Sequence, residues 1–579
     1  MIRQTRPVAV ATMKNFARTL FMSNSNSGIF RSERTWWIGL LAATALNCLF
    51  QIAWFWRFRA HNITADGVDY IGLARHLVDG DFKASLHGYW SPLTSWIIAV
   101  AALFSKNFTL IGRLVTIASF LLCLPLLYLL TLRLWRSKVA AALAVFWFSV
   151  ARGIAALAVG SVLADFVVTA CVLIYFTLLL DALRHNRHAT WILLGAAHAL
   201  AFLAKAMAMP WLSISTILAV LVKNARAPRR LVASMLLAFL LPAAAWVAWG
   251  TALRTKYGVF TSGYQLRANL MINWHRRLSH HLRGDNQAFT DTSSEYDNYM
   301  VGEIPWSSLQ SFSLRNPKLV PMIVEAELRN VPQAVKETVI LLTPGGVLAL
   351  VGMLILLFQK RVLHPSEATF SFIALISTLG VIVAYCMLVF DGRYAIPFVP
   401  ILIAISCPVL LPPRVAVAAP SANPWLQKAS LALFAASTIF FFVYWASPFR
   451  TVDRDFEVSC YQAASALRTH KSSGALVSIG NGPYPEHGVG FEAGSYVAYL
   501  SGWRLVGGNS ELPDSSGADL LASQALAMKS DAVTVWGSPA SPGYESVVEK
   551  IRQAPASSSV VQITDPYKGE VGTLVLFRR

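Results

Sequence analysis

The sequence predicts a mainly α, polytopic membrane protein of about eleven transmembrane helices, followed by a small C-terminal α/β domain outside the membrane. Three observations carry this expectation. Over 579 residues the chain is 55% hydrophobic and only 14% charged, with a mean hydropathy of +0.51, which excludes an ordinary soluble protein and a disordered one. Apolar runs long enough to cross a bilayer, which takes roughly 20 residues, recur between positions 36 and 447. Lys+Arg number 49 against 30 Asp+Glu, a formal charge of +19; in a membrane chain such an excess belongs to cytoplasmic loops, so no nucleic-acid partner is inferred.

In chain order, residues 1–35 are basic (Arg3, Arg6, Lys14, Arg18, Arg31, Arg34). The apolar run behind them ends without a small-residue cleavage pattern, which reads as a retained first span, 36–57, with a cytoplasmic N-terminus. Further spans are expected at 109–132, 139–158, 161–181, 190–206, 208–222, 231–250, 335–358, 369–390, 394–411 and 427–447. Alternation from inside then places Arg133/Arg136/Lys138, Arg184/Arg187, Lys223/Arg226/Arg229/Arg230, Lys360/Arg361 and Arg414 on the cytoplasmic side, as the positive-inside rule requires. The stretch 90–104 is apolar but only about 15 residues long, short of a span. Counting it as a crossing would put every later basic loop outside, so it is expected to be a re-entrant or interfacial helix.

Parity leaves three pieces on the outer side: loops 58–108 and 251–334, and a tail, 448–579. The tail is richer in Gly, Ser, Pro and Asp and carries β-like runs at 475–479, 533–536, 560–563 and 573–577. Five of the six cysteines sit inside apolar runs without paired spacing, so they offer neither a disulfide framework nor a metal site.

The first outer loop holds the most informative residues. In Asp66-Gly67-Val68-Asp69-Tyr70-Ile71-Gly72-Leu73-Ala74-Arg75-His76-Leu77-Val78 the apolar positions follow the rhythm of an amphipathic helix lying on the membrane surface. Asp66 and Asp69 fall at its N-terminal end, where one reading makes them a cap and a dipole complement. Asp165 stands where the chain turns back into the membrane. A carboxylate there faces a cavity or a partner, and pairing with a cation such as Arg152 is the structural alternative to a functional role. Two acids on the outer face suggest general-base chemistry or metal binding, which leaves room for a divalent metal and names no cofactor.

Cations share that side: Arg113, the turn Asp391-Gly392-Arg393-Tyr394, and Arg254, Lys256, Arg267, Arg276, Arg277 and Arg283 of the second loop. Arginine's fork suits phosphate oxygens; a solvated face against anionic headgroups is the other reading of the loop, and membrane lipids are partners under either. His275, His280 and His281 lack a metal-ligand spacing, and Lys205 in the fifth span is expected to snorkel or to pair internally.

With these residues in view, the sequence resembles the bacterial GT-C glycosyltransferases of the protein-mannosyltransferase-like group, family 39. The run from Asp66 through Leu73-Ala74-Arg75-His76-Leu77 to Gly88-Tyr89-Trp90-Ser91-Pro92-Leu93 resembles their first-loop signature. Gly112-Arg113-Leu114, Val162-Leu163-Ala164-Asp165 and Arg393-Tyr394-Ala395-Ile396-Pro397 follow in the same order. The resemblance covers most of 36–410 and departs at Gly67, where an acid often follows the first Asp, and at Tyr89-Trp90-Ser91, which replace an acid and a Lys before the Pro-Leu element.

The resemblance implies a GT-C fold in the bacterial inner membrane and transfer of a sugar, hexosyl or pentosyl, from a polyprenyl-phosphate donor to a lipid, glycan or protein acceptor on the extracytoplasmic face. It implies Asp66 as the catalytic base, with Asp69, Tyr70, Arg113, Asp165, Arg393 and Tyr394 binding substrate. The rival reading is a secondary transporter or lipid flippase with Asp165, Lys205 and His198 on a translocation path.

Overall fold

The structure, a computed structural model, describes residues 33–58, 65–151, 154–267, 319–358, 365–386, 392–411, 428–436, 456–480, 490–508, 515–528, 530–537, 543–555, 557–565 and 569–578, with positions 270, 290, 291, 317, 438 and 539. Arg152, His275, Arg276, Arg277, His280, His281, Arg283, Lys360, Arg361, Asp391 and Arg414 lie outside the described residues, as do 1–32.

In chain order the helices are α1 (Glu33–Phe58), α2 (Ala65–Val78), α3 (Phe82–Ser85), α4 (Pro92–Ala101), α5 (Phe108–Trp135), α6 (Lys138–Val150), α7 (Ile154–Gly160), α8 (Asp165–His185), α9 (His188–Ala204), α10 (Ala208–Asn224), α11 (Pro228–Tyr257), α12 (Leu319–Phe358), α13 (Pro365–Cys386) and α14 (Val399–Ser406). A C-terminal region adds α15 (Phe456–His470), α16 (Gly490–Ser501), α17 (Ser515–Ala527) and α18 (Tyr544–Arg552).

Among the described residues, six helices are long and apolar enough to span a membrane, and they lie in α1, α5, α8, α11, α12 and α13. The expected spans 190–206 and 208–222 are the shorter apolar helices α9 and α10. The run 139–158 divides into α6, which ends at Val150, and α7, which begins at Ile154. At 394–411 the helix shrinks to α14 between 3-10 turns at Gly392–Ala395 and Cys407–Leu410, because Pro397, Pro400 and Pro408 each remove a backbone donor. Within the expected outer loop 251–334, residues 319–334 are helical and belong to α12, which is interrupted at Thr343 (φ 65°, ψ 155°), before Pro344. Helix α4 has 10 residues, about 15 Å at the helical rise, and cannot cross.

Helix α8 is the centre of the bundle, with 78% of its apolar window buried, against 11% for α1 and 17% for α11 at the periphery. In hydrocarbon, helices associate through close packing and polar ties, and these are present. Trp135 Nε1 donates to the Ala404 carbonyl at 2.7 Å, Trp147 Nε1 to Leu342 at 3.0 Å, Tyr175 to Leu212 at 2.9 Å, and Arg184 meets Glu367 at 2.5 Å. Leu46, Leu49, Leu122, Leu236, Leu240 and Ile376 stay exposed, as lipid-facing side chains do.

The C-terminal region is built on a mixed sheet of β1 (Thr290–Asp291), β2 (Ala475–Gly480), β3 (Arg504–Gly508), β4 (Ala532–Trp536), β5 (Ser557–Asp565) and β6 (Gly569–Phe577), in the order β1-β3-β2-β4-β6-β5. The four expected β-like runs are in β2, β4, β5 and β6. Strand β3 is parallel to β2, and β1, from the segment between α11 and α12, pairs antiparallel with Gly507 and Gly508 of β3.

The sharpest correction concerns α2. Expected as a surface amphipath, it is buried nearly all round: Val68, Tyr70, Ile71, Leu73 and Ala74 are all 5% exposed or less. It is enclosed by α4, α5 and, from the tail, α16. Most of its apolar positions, read in the sequence as facing lipid, face protein, and Val78 at its C-terminal end is exposed.

Candidate active site

Two carboxylates enter the site from helix N-termini. Asp66 lies in the first turn of α2 and Asp165 in the first turn of α8, where negative charge complements the helix dipole. Each holds one cation. Arg393, presented by the 3-10 turn Gly392–Ala395, donates through Nη1 to Asp66 Oδ2, with both side chains about one-fifth exposed (21% and 22%). Lys205 Nζ donates to Asp165 Oδ1 at 2.6 Å, and that carboxylate is only 4% exposed. Lys205 is not a snorkelling residue. Helix α9 ends at Ala204, and Lys205 follows in extended conformation (φ −158°, ψ 120°), which turns its side chain inward to Asp165. Its pairing, with Arg152 outside the described residues, answers the structural alternative for Asp165 with a different cation.

Two tyrosines join the pairs into one cluster. Lys205 Nζ lies 4.7 Å from the centroid of the Tyr394 ring and the Arg393 guanidinium 5.5 Å from it. Tyr394 also stacks on Tyr385 of α13, 4.8 Å between centroids and 15° between planes. Tyr70, one helical turn beyond Asp66, is 5% exposed. Burial holds its phenol well above the usual range, with Lys205 and Arg393 drawing it down and Asp66 and Asp165 pushing it up, so it stays protonated in the field of all four charges. Asp69 is 1% exposed, on the buried side of the same helix.

The segments that follow α2 and α11 interlock beside this cluster. The Ala206 N–H, next to Lys205, donates to Ser91 Oγ at 3.0 Å. The Tyr264 N–H donates to the Gly88 carbonyl at 2.8 Å, the Gly88 N–H to Tyr257 Oη at 3.1 Å, and Lys256 Nζ to the Leu86 carbonyl at 2.6 Å. Gly88 is needed there, since a Cβ would lie 2.4 Å from the Tyr264 ring.

The structure thus brings Asp66, Tyr70, Asp165, Arg393 and Tyr394 together. It does not bring Arg113 to them: its guanidinium is 3% exposed, donates to the Val159 carbonyl at 3.0 and 3.1 Å, and lies over the Trp56 ring at 4.5 Å. Arg254 is exposed and Arg267 half-buried, on and after the end of α11. His198 is enclosed in the bundle between Tyr175 and Phe239. Sequence reasoning missed Lys205 and Tyr385 as members of the site. The signal for Lys205 was present: an ammonium in an apolar run marks function or a buried partner, and Asp165 is an acid in a neighbouring apolar run.

As for a metal, both carboxylates are engaged by cationic side chains, which is not the donor set of a divalent ion. Among the described residues no group of three or more His, Cys, Asp or Glu is placed to hold one. The described residues therefore do not fit a metal, and no step is routed through one.

No family model matches the sequence, and no curated protein matches it closely enough to count as a relative. Solved structures do match. The crystal structure of ArnT from Cupriavidus metallidurans in the apo state superposes with a TM-score of 0.53 at 13% identity, covering 94% of this chain and 98% of that one. The structure of ArnT from the same organism bound to undecaprenyl phosphate gives 0.49 at 12% identity, covering 93% and 97%. The chain has the GT-C fold of ArnT, as the motif order implied.

Proposed function

We propose that the chain is an integral membrane glycosyltransferase that takes a sugar from a polyprenyl-phosphate carrier and transfers it, with inversion, to an acceptor on the extracytoplasmic face. The observation that carries the reading is the meeting of Asp66 and Arg393, 327 residues apart, beside the Lys205–Asp165 pair at one end of a GT-C bundle. A base and a phosphate-binding arginine are what such a reaction requires within one site.

In this reading the four charged side chains balance as two carboxylates and two cations, and an arriving phosphate upsets the balance. Arg393 would leave Asp66 for the phosphate oxygens, a charge-assisted contact that its fork suits. That exchange frees the Asp66 carboxylate. The acceptor hydroxyl loses its proton to Asp66 while its oxygen bonds to the anomeric carbon from the face opposite the carrier. The bond from the anomeric carbon to the phosphate oxygen breaks, and the charge that develops on the phosphate is held by Arg393. Asp165, fixed by Lys205, orients the acceptor, and the buried Tyr70 phenol and Tyr394 ring shape the space between the pairs. Arg113, turned to Val159 and Trp56, supports the packing of α5 against this end. The N-terminus is cytoplasmic and residues 448–579 extracytoplasmic, an orientation supported by the loop charges. Whether the transferred sugar is a hexose or a pentose is read from the donor.

Mass spectrometry of lipid extracted from the purified protein tests the reading. A polyprenyl phosphate carrying a sugar is expected, enriched over the bulk membrane lipid. A preparation that carries phospholipid alone and releases no polyprenyl phosphate on incubation with membrane extracts speaks against it and for the transporter alternative.

A further inference from the structure

Helix α2 carries Asp66, Asp69 and Tyr70 in a 14-residue segment, a length at which an isolated helix is marginal, about 12–15 residues being the limit. Its position is therefore set by what packs on it. From the membrane region these are α4 and α5, and from the tail α16. One hydrophobic cluster runs without interruption from the sheet (Leu476, Trp536) through Val497 and Tyr499 to Val68, Ile71 and Val162, and so reaches the neighbourhoods of both acids.

Tyr499 is the centre of that contact. It is 6% exposed, its hydroxyl lies 2.5 Å from Thr109 Oγ1 in the first turn of α5, and the Arg75 guanidinium of α2 lies 5.0 Å from its ring centroid. The same guanidinium lies 5.3 Å from the Phe108 ring. Arg75 is thus clamped between an aromatic of α5 and one of the tail. The tail also holds the second outer loop, through β1 on the edge of β3. A domain that only decorated the outer face would need no contact with the helix bearing the acids.

We propose that the C-terminal domain is a positioning element for transfer, and that Tyr499 is its positioning residue, holding α2 through Arg75 and α5 through Thr109 so that Asp66 stays in register with Arg393. The link to transfer rests on the reading of Asp66 as the base; the mechanical part does not. Tyr499 touches no reacting atom in this account and acts through α2.

Hydrogen exchange of the full-length protein in micelles, without substrate, tests the mechanical part. Tyr499→Leu is expected to raise exchange of the amides of 67–78 by about tenfold, from loss of the cation–π and hydroxyl contacts together, while β2 and β4 stay protected. Tyr499→Phe, which keeps the ring under Arg75, is expected to return most of that protection. Wild-type exchange in 67–78 with Tyr499→Leu overturns the proposal. If Tyr499→Leu opens β2 and β4 as well, Arg75→Leu decides, because it leaves the sheet's core untouched: faster exchange in 67–78 with protected strands supports the clamp, and unchanged exchange overturns it.

With the co-purifying lipid-linked sugar as donor, Tyr499→Leu is expected to lower kcat about tenfold at unchanged donor KM, and to lower nothing further in an Asp66→Asn background. An unchanged kcat overturns the role in transfer. If Asp66→Asn itself transfers normally, the base reading fails while the exchange result stands.

Discussion

Removing Lys205 exposes the energetic weight of the inner ion pair. Its Nζ lies 2.6 Å from Asp165 Oδ1, and the side chains are 11% and 4% exposed, so neither charge has water enough to replace its partner. Breaking a buried pair from one side leaves an uncompensated charge and costs about 3–5 kcal/mol, several times the value of an exposed pair, which is about 0–1 kcal/mol. Lys205→Met keeps the length and apolar stem of the lysine and is expected to lose that amount. Asp165→Leu combined with Lys205→Met removes both charges and is expected to recover most of the loss, since apolar replacement of a whole buried pair is often neutral or stabilising. The assay is denaturant unfolding of the purified protein in one fixed detergent, followed by tryptophan fluorescence. A loss below about 1 kcal/mol for Lys205→Met, or a double variant no better than the single one, would refute the reasoning: the pair would then be solvated, and Asp165 would not depend on Lys205 for its place.

Arg393→Ala is expected to weaken donor use by about ten- to hundredfold, the equivalent of a contact worth about 1.5–3 kcal/mol to a charged group, with expression and folding retained; steady-state kinetics over donor concentration measure it, and unchanged kinetics would confine Arg393 to holding Asp66. Gly346→Ala is expected to destabilise by about 1–3 kcal/mol, because the new Cβ lies 2.0 Å from Trp147 Cζ2 in the tie between α12 and α6. Gly380→Ala, where nothing lies within 4 Å, is expected to be neutral or to stabilise by up to about 1 kcal/mol; thermal melts of the two variants side by side check the contrast.

The membrane character was legible because it rests on length and composition alone, and the order of the motifs pointed to the GT-C fold. The reading of 90–104 as a non-crossing helix also rested on local signals, a short apolar run and charge parity, and α4 is too short to cross. What failed was whatever depends on contacts between distant segments. The face of α2 was read as meeting lipid because apolar periodicity does not say what covers it, and its cover, α16, lies more than 400 residues downstream. Lys205 was expected to snorkel or to pair internally, and the choice between the two rests on a helix end at Ala204 and on Asp165, 40 residues upstream. Arg113 was grouped with the phosphate-binding cations by its position at the head of a span, whereas the carbonyl that holds it is made available by the helix end at Gly160. Strand β3, with only Leu505 and Val506 between an arginine and two glycines, takes its conformation from β2 rather than from its own sequence.

The central claim is that Asp66 is the base of a sugar transfer from a lipid phosphate. Single-turnover release of polyprenyl phosphate from the co-purified donor, on addition of acceptor, tests it most directly when wild type is compared with Asp66→Asn. The amide keeps the shape of the side chain and an oxygen to accept from Arg393 but takes up no proton at neutral pH. The account predicts a rate about 100-fold lower or more, with donor still bound and the melting temperature nearly unchanged; release at close to the wild-type rate would contradict it and move the search for the base to Asp69 or Asp165.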